Sequence, residues 1–235
     1  MAELYGKKEG CSGGFGGSMH LYDVERGNLG ANAVVGGGLA GIVGAALAFK
    51  FRGEPRVAVA FFGDGATNTG AFHEALNLGQ LWNVPAIFVL ENNGWAESTP
   101  GWQHSPVWED MSKRALAYDM PSMKVDGQDL EAVYETAREA LEHVRSGRGP
   151  VFLDVETERM HGHYIGDPQV YRSQEDREKA AAHDPVVLLR EKLGVGEDEW
   201  EALETEVTGI VEASVEFAKA GTDPQHEDAL KNIYA

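Results

Sequence analysis

The sequence predicts an α/β fold built on a mostly parallel sheet. Three observations carry that prediction. Helical segments alternate with strand-like runs along the chain. Two of those runs, "VAVAFF" (57–62) and "AIFVL" (86–90), are continuously apolar, as buried parallel strands are. The first ends in a Gly-Asp-Gly turn and the second in an Asn-Asn-Gly turn.

The elements follow in order. Residues 1–30 are Gly-rich and weakly periodic, which predicts a packed loop; Met, His, Tyr and Leu make it too apolar for a pure linker. "GGGLAGIVGAALAFKF" (36–51) is apolar on all sides and predicts a buried helix. Its small residues make it a candidate for packing against another subunit, with ordinary core as the equal alternative. "GEPR" then breaks the chain before the strand at 57–62. Phe72, Ala75, Leu76, Leu78 and Leu81 fall at helical spacing within 67–82, "NVP" stops that helix, and the strand at 86–90 completes a βαβ unit. Helices are predicted near 112–118 and at 130–145, the second with Asp129 as N-cap. Strands are predicted at 122–127 and 151–157. Two helices, 185–193 and 197–219, make the 184–235 part helical. One domain over 1–235 is expected, a size that buries a substantial core.

Composition narrows the function. The net charge is −18, and residues 171–235 hold 16 Asp/Glu against 7 Lys/Arg, half of the excess. That argues against nucleic acid and against an anionic membrane surface as partners. The longest apolar stretch, 34–49, contains five glycines and is shorter than the roughly 20 residues a span needs. The N-terminus shows no charged-then-apolar export signal. Cys11 is the single cysteine, so no internal disulfide framework exists; it reads as structural, and the chain as cytoplasmic.

The two turns carry the chemistry. Open parallel sheets bind ligands beyond the carboxyl ends of their strands, and Gly63-Asp64-Gly65 and Asn92-Asn93 both stand at such ends, one helix apart. Asp64 offers a hard carboxylate and Asn93 an amide carbonyl, oxygen donors suited to Mg²⁺. Mg²⁺ takes few protein ligands and fills the rest with phosphate oxygens. Gly65 lets a phosphate approach the backbone, and the helix start behind it adds N–H groups and a positive dipole end. Either turn alone is common; the two across one βαβ unit read as a metal-diphosphate clamp.

Gly-Asp-Gly, 26 residues and Asn-Asn together resemble the thiamine-diphosphate signature. With "GGSMH" (16–20), "GNLGANAVVGGG" (27–38), "FFGDGATNTGAFHEALNL", "VLENNGWAESTP" and "RMHGHYIGDPQVYR" (159–172), nearly the whole chain is similar to the α subunits of two-subunit 2-oxo acid dehydrogenases. These are the decarboxylating components of pyruvate, acetoin and branched-chain complexes. "VDG", "GRGP" and "DPVVLLREKL" match as well.

The resemblance implies a thiamine-diphosphate-binding fold with helices on both sheet faces. It implies oxidative decarboxylation or acetoin cleavage with acyl transfer to lipoamide. Asp64, the Asn93 side chain and the Trp95 carbonyl would ligate Mg²⁺. Gly65 and Ala66 would meet the diphosphate; Ala33, where the family usually has Gly, and Val35 would flank the aminopyrimidine. His163 matches the loop histidine that handles the substrate carboxylate or a proton beside the reacting carbon; imidazoles titrate near neutrality, which suits the task. On residues alone, His161-Gly162-His163 reads as an exposed loop. Tyr164 stands where mitochondrial relatives carry a phosphorylated Ser, so Ser phosphorylation there is excluded. The family's activating glutamate lies on a β subunit, which implies an α–β heterotetramer serving a lipoyl-bearing acyltransferase component. Family chains also carry roughly a hundred further N-terminal residues, on a scale typical of part of a domain. They supply a Tyr-Arg pair to the diphosphate and a second histidine, which residues 1–30 do not replace. The alternatives are a transketolase-like split subunit, disfavoured by "GGSMH" and "RMHGHYIGDP", and a non-catalytic scaffold subunit.

Overall fold

The computed structural model describes residues 1–231 and divides into two compact units, 35–193 and 1–34 with 194–235. The larger unit runs α1 (Gly37–Arg52), β1 (Ala58–Gly63), a 3-10 turn (Asp64–Asn68), α2 (Gly70–Leu81), β2 (Ala86–Asn92), β3 (Trp95–Ala96), β4 (Thr99–Pro100), α3 (Gly101–His104), α4 (Lys113–Leu116), β5 (Ser122–Asp126), α5 (Leu130–Arg145), β6 (Val151–Glu156), α6 (Gln174–Ala182) and α7 (Pro185–Leu193). β1, β2, β6 and β5 form, in that spatial order, one parallel sheet. β3 and β4 form a small antiparallel pair.

Helices cover both faces of the sheet, as the α/β reading expects. On one face Leu39 and Val43 of α1, Phe72 and Leu76 of α2, and Met111 and Met120 close over Phe62, Phe88, Leu90 and Phe152. Phe62, Phe72 and Phe152 meet with ring centroids 5.8–6.2 Å apart. On the other face Ala140 and Val144 of α5 pack on Ile87, Val125, Val151 and Leu153. Asp129 caps α5 as predicted, accepting from the Glu131 and Ala132 N–H groups. Thr69 caps α2 through the Phe72 N–H.

Several expectations are corrected. α1 is not buried all round: Leu39, Val43 and Ala46 form one inward stripe, while Phe51 is 82 % exposed. Uniform apolarity gives no moment to choose a face, so packing against α2 chooses it. β1 is a sheet edge whose residues alternate in burial, leaving Phe61 68 % exposed, so its continuous apolarity does not mark a two-sided burial. The helix predicted near 112–118 is the four-residue α4, and α6, a polar helix with a Ser173–Asp176 capping box, has no apolar period to announce it.

In the smaller unit, residues 1–34 are turns and a short 3-10 segment (Val24–Arg26), and α8 (Glu197–Ala220) is the long helix. The Glu3 carboxylate organises the glycine-rich stretch, accepting from the N–H groups of Ser12, Gly14 and Gly16 at 2.6–2.9 Å. Lys7 pairs with Asp223 and the Lys8 N–H with the Thr222 carbonyl. Cys11 is exposed and does not fill a structural place in a core. Among the described residues no helix is long and apolar enough to cross a membrane.

Candidate active site

The sheet register sets the site. Gly63 pairs with Glu91, and Asn92 with Glu156, so β1, β2 and β6 end together at one carboxyl edge. The chain leaves β1 directly into the 3-10 turn, which buries Asp64, Ala66 and Thr67. The Thr67 hydroxyl donates to the Asp64 carbonyl at 2.7 Å and closes that turn.

Asp64 is 2 % exposed. Its Oδ1 accepts the Gly65 N–H at 2.9 Å, while Oδ2 has no hydrogen-bond partner. His104 Nε2 lies 3.5 Å from that oxygen. Burial pushes the Asp64 carboxyl above the usual range, against His104, the Gly65 N–H and the Arg159 guanidinium, which pull it down. A buried carboxylate with an unused oxygen is costly unless something cationic completes it.

The second turn faces the first. A Cβ on Gly65 would lie 2.8 Å from the Ala96 Cβ, so the β3–β4 hairpin sits on the Gly-Asp-Gly turn. Only glycine fits that approach. Asn93 folds back on its own turn, its Oδ1 accepting the Trp95 N–H at 3.0 Å. The Trp95 carbonyl accepts from Arg159 Nη2 at 2.6 Å, and the Glu97 carbonyl from Arg159 Nη1. Asn92 is pinned by Asp154, a fully buried carboxylate on β6 that also accepts the Ser112 N–H; both bonds are 3.0 Å.

The 159–172 loop is tied to itself and to Trp95. Asp167 accepts from the His163 N–H (2.8 Å), the Gln169 N–H (2.9 Å) and the Tyr171 hydroxyl (2.6 Å). The Tyr171 ring lies 5.4 Å from the Trp95 ring, and the Arg172 guanidinium 5.8 Å from it.

The sequence matches the Dehydrogenase E1 component family over residues 1–227. The chain belongs to that family. It is 40% identical over 237 residues to the α subunit of acetoin:2,6-dichlorophenolindophenol oxidoreductase of Bacillus subtilis (strain 168), a match covering 100% of this chain and 71% of the relative. The protein of the same name in Cupriavidus necator is 41% identical over 239 residues, with 100% and 72% covered. The pyruvate dehydrogenase E1 component subunit alpha of Rhizobium meliloti is 37% identical over 238 residues, with 99% and 68% covered. As an E1 component, the chain is an oxidoreductase subunit of the thiamine-diphosphate-dependent kind.

Within this E1 component the structure brings Asp64, Gly65, Ala66 and the Trp95–Ala96 strand together at one sheet edge. Asn93 belongs to the same turn, with its side-chain oxygen directed at the Trp95 N–H. Val35 is exposed just ahead of α1, and Ala33 is exposed in the smaller unit. His163 is exposed on its loop, the environment that the residues alone predict. Sequence reasoning missed His104, Arg159 and Asp154. Asp154 left a signal, an acid inside the apolar run "VFLDV"; His104 left none, because its partner lies 40 residues away.

The donor set fits the cofactor the family uses. One buried carboxylate with a free oxygen, an amide oxygen and a backbone carbonyl, on two turns that touch at Gly65 and Ala96, are hard ligands of the kind Mg²⁺ takes with phosphate oxygens.

Proposed function

We propose that this chain is the α subunit of a thiamine-diphosphate-dependent 2-oxo acid (pyruvate) or acetoin dehydrogenase. It holds the cofactor through Mg²⁺ on Asp64, Asn93 and the Trp95 carbonyl, with Gly65 and Ala66 against the diphosphate and Ala33 and Val35 beside the aminopyrimidine. His163 serves next to the reacting carbon, taking the substrate carboxylate or moving a proton. When bound, the cofactor supplies the nucleophilic carbon for decarboxylation or acetoin cleavage. The chain's own residues would orient it, through the metal ligands on one side and the Gly65–Ala66 backbone on the other. Its partners are a β subunit, in an α–β heterotetramer, and a lipoyl-bearing acyltransferase; the setting is the cytoplasm.

The observation that carries this reading is the Asp64 carboxylate, buried at the sheet edge with an oxygen unpartnered and the Trp95 hairpin against its turn. Similarity at 40% and 41% to two acetoin enzymes makes acetoin the first substrate to assay, with pyruvate second.

The test is calorimetric titration of thiamine diphosphate into the chain co-expressed with its β subunit, with Mg²⁺ and with EDTA. Binding is expected with Mg²⁺, lost with EDTA and lost in Asp64→Ala. Equal binding by wild type and Asp64→Ala would remove the clamp.

A further inference from the structure

Behind Asp64 runs a hydrogen-bond chain whose direction is fixed by its far end. Arg114 is a donor only, and its Nη2 donates to Asn68 Oδ1 at 2.7 Å. The same Nη2 lies 3.2 Å from the Ser105 hydroxyl, which further anchors it. With Oδ1 turned to the guanidinium, the Asn68 amide nitrogen is the atom that faces His104 Nδ1, at 3.3 Å. An amide NH₂ can only donate, so Nδ1 must accept and the ring proton sits on Nε2. Nε2 lies 3.5 Å from Asp64 Oδ2, a few tenths of an ångström beyond the usual N–H···O range, so a small closure makes the bond.

Neither Nε2 nor Oδ2 has a hydrogen-bond partner among the described residues, and both atoms are buried. The side chains are 10 % and 3 % exposed, which excludes bulk water from between them. Each carboxylate oxygen carries about two acceptor positions. A His104 N–H on Oδ2, beside the Gly65 N–H on Oδ1, would leave one position on each oxygen for a cation.

We propose that His104 is a positioning residue for Asp64: held as the Nε2–H tautomer by Arg114 through Asn68, it donates to Oδ2 and fixes the carboxylate for the metal. The inference rests on the metal-clamp reading of Asp64 and adds the residue that orients it. The role needs only an N–H at that place, so Gln, whose amide can donate, should serve where Ala cannot.

The experiment measures the Mg²⁺ concentration that half-saturates thiamine diphosphate binding in wild type, His104→Ala, His104→Gln and Asp64→Ala, each with the β subunit. A hydrogen bond to a charged group corresponds to a shift of about tenfold or more. His104→Ala is expected to need about tenfold more Mg²⁺ while reaching the same saturation, with His104→Gln within about threefold of wild type. A His104→Ala titration equal to wild type, with Asp64→Ala dead, overturns the role of His104 and leaves the clamp standing. Failure of His104→Gln to rescue also overturns it. Asp64→Ala binding as well as wild type overturns the clamp and the inference with it. A second measurement needs no variant and no cofactor: ¹⁵N NMR of the histidine rings is expected to show His104 with its proton on Nε2. A proton on Nδ1 alone overturns the proposal whatever the variants do.

Discussion

Arg159 donates from Nη2 to the carbonyl oxygen of Trp95 at 2.6 Å, and that carbonyl belongs to the turn proposed to hold the metal. One guanidinium thus joins the base of the 159–172 loop to the hairpin lying on Gly65. A carbonyl has two lone pairs, so loop anchoring and metal ligation can share the oxygen.

Arg159→Met removes the bonds to both hairpin carbonyls and is expected to loosen the loop. Amides within 160–170 should exchange about tenfold faster or more, on the scale of a lost charge-assisted bond. Arg159→Lys should recover only part of the protection, because an ammonium lacks the planar fork that reaches two carbonyls. Hydrogen-exchange mass spectrometry decides; unchanged exchange in Arg159→Met would remove the anchor.

Gly65→Ala places a methyl 2.8 Å from the Ala96 Cβ, closer than two carbons can approach. The hairpin must shift, and cofactor binding is expected to weaken by about tenfold or more, the scale of a 1–3 kcal/mol overpacking cost. Adding Ala96→Gly makes room and should restore most of the loss. A double variant no better than the single one would show that the close approach is not the cause.

Asp154→Asn tests the buried acid that pins Asn92. Burial is the main reason its carboxyl is raised above the ordinary 3.8, with the Asn92 hydrogen bond opposing. The folded chain therefore keeps the proton at a pH where the unfolded chain has lost it. Stability falls as pH rises from the ordinary carboxylate range through the raised value, and the cost is fully present above it. Asparagine never titrates, so the stability advantage of wild type over Asp154→Asn should shrink as pH rises through that window. Urea midpoints across pH 3–8 read the difference; a constant gap would count against a raised carboxyl.

Glu3 has the opposite sign. Burial raises its carboxyl, but the N–H groups of Gly14, Gly16, Ser12 and Gly17 outweigh that and leave it below the ordinary 4.5. Its contribution is present above that ordinary value and is lost as pH falls through the lower folded one. Glu3→Gln offers one acceptor oxygen where the carboxylate offers two to these N–H groups and should cost about 1–3 kcal/mol at neutral pH. The gap from wild type should close on acidification. A gap independent of pH would mean that the charge is not what binds the glycine loop.

Local sequence was enough for the elements whose periodicity and caps agree. Leu130–Arg145 was legible to the residue, because its strong amphipathic period begins behind a good N-cap. The βαβ unit was legible because two apolar runs flank a helix with Phe72, Ala75 and Leu76 on one face. Uniform apolarity misled in α1 and β1, where hydropathy says that a segment can be buried and not which side meets a neighbour. α6 was missed because its helix rests on polar capping, which hydropathy does not register.

The site divides in the same way. Asp64, Gly65 and Asn93 could be proposed from the sequence because ligands collect at strand ends and the residue types announce oxygen donors. His104, Arg159 and Asp154 could not be assigned their work, because each acts on a partner distant in the chain, 40 to 64 residues away. By itself the sequence determined the α/β class, the family and the two turns, which depend on short-range pattern and residue chemistry. Only the tertiary structure decided which histidine stands behind the carboxylate, which arginine holds the Trp95 carbonyl and which faces stay open. Those depend on sheet order and register, and hydrogen bonds a few ångströms long have no counterpart in local spacing.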